Sequence, residues 1–135
     1  MSYLDKRIIY LPKKILLDTS FLIEAVNTSS GLDILNELSR EYELYITSGV
    51  LNELNRLSLR KGKVRLPARV ILEWIKAKDV KVISSDCESV DRGIYDIAKS
   101  GEYIVATGDR DLREKLMKRN VRILYFKKGG KPYII

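Results

Sequence analysis

The sequence contains no histidine and a single cysteine, Cys87. The absence of histidine excludes Ser-His-Asp and Cys-His catalysis and every zinc site that needs an imidazole ligand. One cysteine excludes disulfide bonds within the chain and fits a reducing compartment, so we expect a cytoplasmic protein. No apolar run approaches the roughly 18 residues of a membrane span, and no glycine-rich phosphate-binding loop is present. An enzyme of this composition must therefore use carboxylates, hydroxyls or lysines.

Length and patterning predict one α/β domain. The 135 residues are 45% apolar, which suffices for a core without cross-links, so we expect a single domain over residues 1–135. Apolar runs predict strands at residues 14–18, 43–46, 80–83, 103–106 and 122–126, between helical patterns at 20–26, 32–41, 50–57, 67–77, 88–99 and 109–118. Residues 133–135 are expected to add an edge strand after a Gly129-Gly130 turn. This alternation indicates a parallel sheet with helices on both faces and a ligand crevice beyond the carboxyl ends of its strands.

The charge is basic and clustered. Twenty-five Lys and Arg against 18 Asp and Glu give a formal net charge of +7, which favours a polyanionic partner, with RNA the first candidate. Further basic groups lie at residues 110–122 and 127–131, and a lysine-rich solvated surface is the alternative explanation. The candidate RNA contacts are Arg60, Lys61, Lys63, Arg65, Arg69 and Arg110, of which residues 60–69 are the first choice.

Carboxylates follow two of the predicted strands. Asp18 comes directly after the run Ile15-Leu16-Leu17, and Asp109 comes three residues after Ala106. Each stands just before a helix, where aspartate is a favoured N-cap that adds about 1 kcal/mol of stability. Capping and a functional role therefore both account for these two positions.

Glu53 and Asp91 lie at helical spacing from apolar residues, on the apolar sides of their predicted helices. An ionised carboxylate rarely occupies such a position unless it is paired or binds a metal. The alternative is an acid at the edge of the apolar face, or one paired with a neighbour such as Arg56 or Arg92. The position alone leaves both readings open.

The four acids together point to a metal-dependent nuclease. If Asp18 and Asp109 end neighbouring strands, helices packed beside them bring Glu53 and Asp91 to the same crevice. Clustered carboxylates raise one another's pKa until a cation neutralises them, and oxygen ligands select Mg²⁺ or Mn²⁺. Carboxylate-held metals are a common solution for phosphodiester hydrolysis.

The motifs around these acids resemble those of the PIN-domain ribonucleases of archaeal type. The matching segments are Ile-Leu-Leu-Asp18-Thr-Ser-Phe-Leu, Val50-Leu-Asn-Glu53-Leu, Asp91-Arg-Gly-Ile94 and Val105-Ala-Thr107-Gly-Asp109-Arg-Asp-Leu112. They occur in the family's order and cover the chain from about residue 14 to residue 126. The C-terminal motifs look closer to the ribosomal-RNA-processing branch than to the toxin branch.

The resemblance implies a three-layer α/β/α fold with a mainly parallel sheet of strand order 3-2-1-4-5. It implies Mg²⁺- or Mn²⁺-dependent endonucleolytic cleavage of RNA, with Asp18, Glu53, Asp91 and Asp109 as catalytic metal ligands. Thr19, Ser20 and Thr107 would orient water or a carboxylate behind them. Gly108 stands where the family usually has asparagine, so an amide beside Asp109 is missing, and Asp111 is a candidate to substitute or assist.

Several roles remain open under this resemblance. The family implies a homodimer and, as a separate molecule, an antitoxin or a ribosome-assembly partner. The alternatives to ribosomal RNA processing are a toxin ribonuclease of a toxin–antitoxin pair and a non-catalytic RNA-binding scaffold domain. A flap-type DNA nuclease is disfavoured because no helical arch is evident in the pattern.

Overall fold

The structure, a computed structural model, describes residues 12–86, 89–127 and 132–135. The strands in these segments are β1 (Lys14–Leu17), β2 (Glu43–Thr47), β3 (Lys81–Ile83), β4 (Tyr103–Ala106), β5 (Ile123–Phe126) and β6 (Pro132–Ile134). The helices are α1 (Thr19–Val26), α2 (Gly31–Glu41), α3 (Ser48–Leu59), α4 (Arg65–Ala77), α5 (Val90–Ala98) and α6 (Arg110–Met117). Cys87 and the predicted Gly129-Gly130 turn lie outside the described residues.

The strands form one sheet in the order β3-β2-β1-β4-β5-β6. The first five are mutually parallel, and β6 runs antiparallel to β5 at the edge. This confirms the predicted order 3-2-1-4-5 and the edge strand at the tail. Because β1 and β4 are neighbours in register, with Leu17 opposite Ala106, the residues that follow these two strands meet at one edge of the sheet.

The core lies on both sides of the two central strands. Helix α1 packs against α2, α3 and α4, whereas α5 packs against α6, and these two groups form the outer layers of the α/β/α arrangement. A parallel strand covered on both faces must be apolar at consecutive positions rather than at alternate ones. The fully buried residues of β1 and β4 are Ile15, Leu16, Leu17, Ile104, Val105 and Ala106.

Side-chain caps set where α3 and α5 begin. The Thr47 hydroxyl accepts a hydrogen bond from the Val50 amide (3.0 Å) at the start of α3. The Ser89 hydroxyl accepts one from the Arg92 amide (3.1 Å) at the start of α5. Such caps satisfy amides that have no partner within the helix, and they start α3 and α5 so that Glu53 and Asp91 fall in their first two turns.

Helix α4 begins earlier than predicted. The sequence pattern predicted a helix over residues 67–77, whereas α4 begins at Arg65 and Pro67 is its third residue. Amides in the first turn of a helix have no intrahelical acceptor, so proline is tolerated there beyond the first position. In the part of the chain that the structure describes, no helix is long and apolar enough to cross a membrane.

Candidate active site

Asp18 lies between β1 and α1 and is only 4% exposed. Its Oδ2 atom accepts hydrogen bonds from the Thr107 hydroxyl (2.6 Å) and the Ser20 hydroxyl (3.0 Å). Its Oδ1 atom accepts one from the Thr19 amide (2.8 Å). An ordinary N-cap bonds the amide two or three residues further on, so capping alone does not account for the orientation of this carboxylate.

Burial raises the pKa of the Asp18 carboxyl above its usual value. The hydrogen bonds from Thr107, Ser20 and the Thr19 amide oppose this shift, and the negative charge of Glu53 adds a smaller upward contribution to the pKa. A buried carboxylate that accepts three hydrogen bonds and still has a raised pKa is a group whose ionised form a cation would stabilise.

Hydroxyl groups connect the ends of β1 and β4. The Ser20 hydroxyl lies 3.3 Å from that of Thr107 and accepts a hydrogen bond from the Gly108 amide (2.9 Å). Thr107, fully buried, also accepts one from the Asp109 amide (3.0 Å). Two of the three predicted supporting hydroxyls therefore hold the loop before Asp109 against Asp18.

Thr19 contributes its backbone rather than its side chain. Its amide donates to Asp18, while its buried hydroxyl has no hydrogen-bond partner among the described residues. Thr19 therefore lies next to Asp18, but its hydroxyl forms none of the hydrogen bonds that hold this carboxylate.

Asp109 and Asp91 form the second half of the site. The Oδ1 atom of Asp109 caps α6 by accepting a hydrogen bond from the Leu112 amide (3.1 Å). The Asp91 carboxyl, on the first turn of α5, hydrogen-bonds with Asp109. Arg92, one of the cations considered as a partner for Asp91, instead pairs with Asp96 at 3.2 Å, which leaves Asp91 facing other acids.

The pKa of Asp91 rises to about 6. Partial burial is the largest cause, followed by the charges of Asp109 and Asp18, the hydrogen bond with Asp109, and the charge of Glu53. Repulsion of this kind means that all four predicted acids lie within electrostatic reach of one another. They come from four separate parts of the chain: the end of β1, α3, α5 and the start of α6.

The donor set fits a hard divalent cation in its chemistry, because it consists of carboxylate and hydroxyl oxygens. The positions of these donors do not form a complete metal site. Within residues 12–86, 89–127 and 132–135, no three acidic or cysteine side chains converge closely enough to hold a metal ion. A coordination shell would need side-chain adjustments, and Asp91 and Asp109, which are not buried, have room for them.

A groove of about 1040 Å³ begins at this site and runs between α5 and α6. Asp91 and Asp111 both line it. Asp111 is exposed on the first turn of α6, two residues after Asp109. The predicted assisting role for Asp111 has a suitable location.

A family model described as a PIN like domain matches residues 15–129 of this chain. The chain belongs to the PIN-domain family. Ribonuclease VapC4 of Methanocaldococcus jannaschii is 35% identical to it, over 82% of this chain and 88% of that protein. The predicted family is thereby confirmed, and its known relatives include a ribonuclease.

Solved structures share the fold. The PIN domain endonuclease Utp24 superposes with a TM-score of 0.70 at 19% identity, and the match covers 91% of each chain. A domain of a functionally unknown protein from Methanocaldococcus jannaschii gives a TM-score of 0.62 at 15% identity, over 88% of this chain and 94% of that one. At these identities the likeness establishes the three-layer PIN architecture.

The basic residues proposed as RNA contacts lie away from the groove of this PIN domain. None of Arg60, Lys61, Lys63, Arg65 and Arg69 lines it. All five are exposed in or near the α3–α4 connection, and Arg69 donates from Nε to the Ser58 carbonyl (3.3 Å). Arg110 is exposed at the start of α6 and pairs with Glu114 at 3.4 Å.

The motifs missed two features of the PIN-domain site. Glu24, one helical turn beyond Ser20 on α1, brings a further carboxylate next to Gly108. The groove also carries Lys115, Lys118 and Arg119, which belong to the basic group at residues 110–122. The sequence does contain a signal for two of these cations. Lys115 and Lys118 stand four and seven residues after Asp111, a spacing that places all three on the same side of a helix.

Proposed function

We propose that this PIN domain is an endoribonuclease that hydrolyses RNA phosphodiester bonds with Mg²⁺ or Mn²⁺ held by Asp18, Glu53, Asp91 and Asp109. The observation that carries the proposal is the convergence of four acids from four separate parts of the chain at one edge of the sheet. Partial burial, and after it the charges of Asp109, Asp18 and Glu53, raise the pKa of Asp91. A fold does not bring four carboxylates within reach of one another at one sheet edge for stability, because their repulsion is unfavourable. The 35% identical ribonuclease supports the same conclusion.

The chain's own residues provide orientation and charge. Thr107 and Ser20 hold the Asp18 carboxylate with its Oδ2 atom fixed, and the α6 cap holds one oxygen of Asp109. A bound divalent cation would neutralise the carboxylates and act as a Lewis acid toward the scissile phosphate. Lysine and arginine side chains nearby would stabilise the negative charge that develops on the phosphate. If the reaction follows the family, the products carry a 5′-phosphate and a 3′-hydroxyl.

The direct test is cleavage of end-labelled single-stranded RNA in Mn²⁺, in Mg²⁺ and in EDTA. We expect cleavage that requires the cation and that disappears in Asp18→Asn. Asp33→Asn is the matched control, because Asp33 is an exposed acid on α2, and it should cleave as the wild type does.

Two outcomes would count against the enzyme. Cleavage that survives in Asp18→Asn would point to a contaminating nuclease. RNA binding without any cleavage, together with no effect of Mn²⁺ on the melting temperature, would favour the non-catalytic RNA-binding scaffold.

Two biological roles fit such an enzyme. The C-terminal motifs around Thr107 and Asp109 favour ribosomal RNA processing, with a ribosome-assembly partner. The relative named ribonuclease VapC4 favours a toxin ribonuclease with a separate antitoxin. Cleavage of purified ribosomal RNA precursor at a single position, compared with cleavage of transfer and messenger RNA, separates the two.

A further inference from the structure

The groove between α5 and α6 has an uneven distribution of charge. Asp91 and Asp111 line it where the two helices begin, beside the acidic cluster. Lys115 lies one turn beyond Asp111, and Lys118 and Arg119 lie at and just past the end of α6. At 1.5 Å per residue, Lys118 is about 10 Å along the helix from Asp111. Asp86 lines the groove as well, and so do Arg92 and Asp96 of α5, which pair with each other. Along α6, the groove passes from the carboxylate of Asp111 to three cations.

The cations at the far end have no acidic partner among residues 12–86, 89–127 and 132–135. Lys115, Lys118 and Arg119 form no ion pair with any described residue, whereas Arg92 and Lys99 both pair with Asp96, and Arg110 pairs with Glu114. Three unpaired cations along one concave surface attract a polyanion and gain affinity by releasing its counterions.

The opposite wall carries an aromatic side chain. Tyr95 lies one helical turn beyond Asp91 on α5, is partly buried, and lines the groove. Cations that follow a backbone, next to an aromatic ring, are the combination by which proteins bind single strands, because every base can stack on a ring. The 10 Å between Asp111 and Lys118 is enough for about two or three nucleotides.

We propose that the α5–α6 groove binds the single-stranded RNA that flanks the scissile phosphate, with phosphates on Lys115, Lys118 and Arg119 and a base on Tyr95. The proposal rests on the ribonuclease function, whose cleavage site it extends by a binding path. It replaces the exposed residues 60–69 as the principal RNA contact, because those residues line no part of the groove.

The test measures binding in EDTA, so that it is independent of cleavage. Anisotropy of a fluorescein-labelled oligouridylate is followed against KCl concentration for the full chain and for Lys115→Gln/Lys118→Gln/Arg119→Gln. Each lost phosphate contact reduces the magnitude of the slope of log affinity against log salt by about 0.7. The slope of the triple variant should therefore be smaller than that of the wild type by about 2.

Two further triple variants make the comparison specific. The charge-matched control is Arg40→Gln/Lys76→Gln/Lys78→Gln, which removes three exposed cations remote from the groove and should leave the slope nearly unchanged. The rival is Arg60→Gln/Lys61→Gln/Lys63→Gln. If the slope of log affinity against log salt falls in Arg60→Gln/Lys61→Gln/Lys63→Gln and stays at the wild-type value in Lys115→Gln/Lys118→Gln/Arg119→Gln, the proposal is wrong.

Tyr95 is tested by Tyr95→Leu against Tyr95→Phe. Loss of a stacked base weakens binding by roughly 5- to 100-fold, which we expect for leucine, while phenylalanine keeps the ring and should bind within about two-fold of wild type. Melting temperatures of both variants check that the partly buried position still packs. Equal binding by both variants would remove Tyr95 from the path.

The remaining outcomes separate this proposal from the ribonuclease function. Groove variants that bind and cleave as the wild type does would overturn the path and leave the nuclease standing. Wild-type protein that binds through the groove but never cleaves would overturn the nuclease and leave the path. A duplex RNA that binds as tightly as the oligouridylate, or a polyglutamate peptide that displaces it, would overturn the assignment to single-stranded RNA.

Discussion

The Oε1 atom of Glu24 lies 3.1 Å from the point that a Cβ atom on Gly108 would occupy. Ser20 Oγ lies 3.6 Å from the same point and accepts a hydrogen bond from the Gly108 amide. Partial burial raises the pKa of Glu24, and the charge of Arg113 partly offsets this. The family resemblance implies an asparagine at position 108, whereas this chain has a glycine there with the Glu24 carboxylate of α1 beside it.

This contact predicts energetic coupling between Gly108 and Glu24. In Gly108→Asn the new side chain should displace the Glu24 carboxylate, which is the end of a flexible, exposed side chain, and cost about 0.5–1 kcal/mol of unfolding free energy. In the Glu24→Ala background the same substitution should cost less. Urea unfolding of the wild type, both single variants and the double variant measures the coupling, and strictly additive values would mean that the two residues do not interact.

Thr107 should be needed for both stability and cleavage. Its hydroxyl donates to the buried Asp18 carboxylate at 2.6 Å and accepts from the Asp109 amide. Thr107→Val keeps the shape but removes both bonds, so we expect a loss of about 2–3 kcal/mol of unfolding free energy and a drop in cleavage rate of more than about 10-fold. Thr107→Ser keeps the hydroxyl and should retain most activity. Equal activity in the two variants would contradict this role.

The sheet could be predicted because its strands are continuous apolar runs. The residues of β1 and β4 are hydrophobic at consecutive positions, which only a strand buried on both faces requires. The acids at the ends of these strands follow from the same reasoning, since neighbouring parallel strands end at the same edge. The local pattern placed both acids at strand ends, and the strand order implied by the family resemblance made β1 and β4 neighbours, so that Asp18 and Asp109 were expected to lie near each other.

Other features depend on packing between distant elements. The approach of Glu24 to Gly108 requires the placement of α1 over the end of β4, and nothing near either residue in the sequence encodes it. The sequence alone does not distinguish the groove cations from other exposed lysines, because the groove depends on the packing of α5 beside α6. The sequence analysis instead chose residues 60–69, which hold five cations but line no part of this groove.

Asp91 should make the protein less stable as the pH rises. The pKa of Asp91 is raised from 3.8 to about 6 in the folded chain, so between these values the folded state binds more protons than the unfolded state and the unfolding free energy falls with increasing pH. Because the side chain is more than a third exposed, solvent screening limits the effect to below about 1 kcal/mol. In EDTA, Asp91→Asn should flatten the dependence between pH 4 and 7, while Asp33→Asn should keep it. An unchanged slope in Asp91→Asn would contradict the shift.

A divalent cation should stabilise the folded chain through the acidic cluster. A ligand present at about 100 times its dissociation constant adds about 2.7 kcal/mol if it binds only the folded state, which for a chain of this size raises the melting temperature by roughly 5–10 °C. Glu53→Gln removes one carboxylate whose charge raises the pKa of both Asp18 and Asp91. The variant without Mn²⁺ gains some stability because repulsion within the cluster is relieved, but Mn²⁺ should raise its melting temperature much less than that of the wild type. Glu73→Gln changes an exposed acid on α4 and should respond as the wild type does. Melting curves of the three proteins with and without Mn²⁺ test this prediction. An equal rise in melting temperature in all three would place the cation outside this cluster.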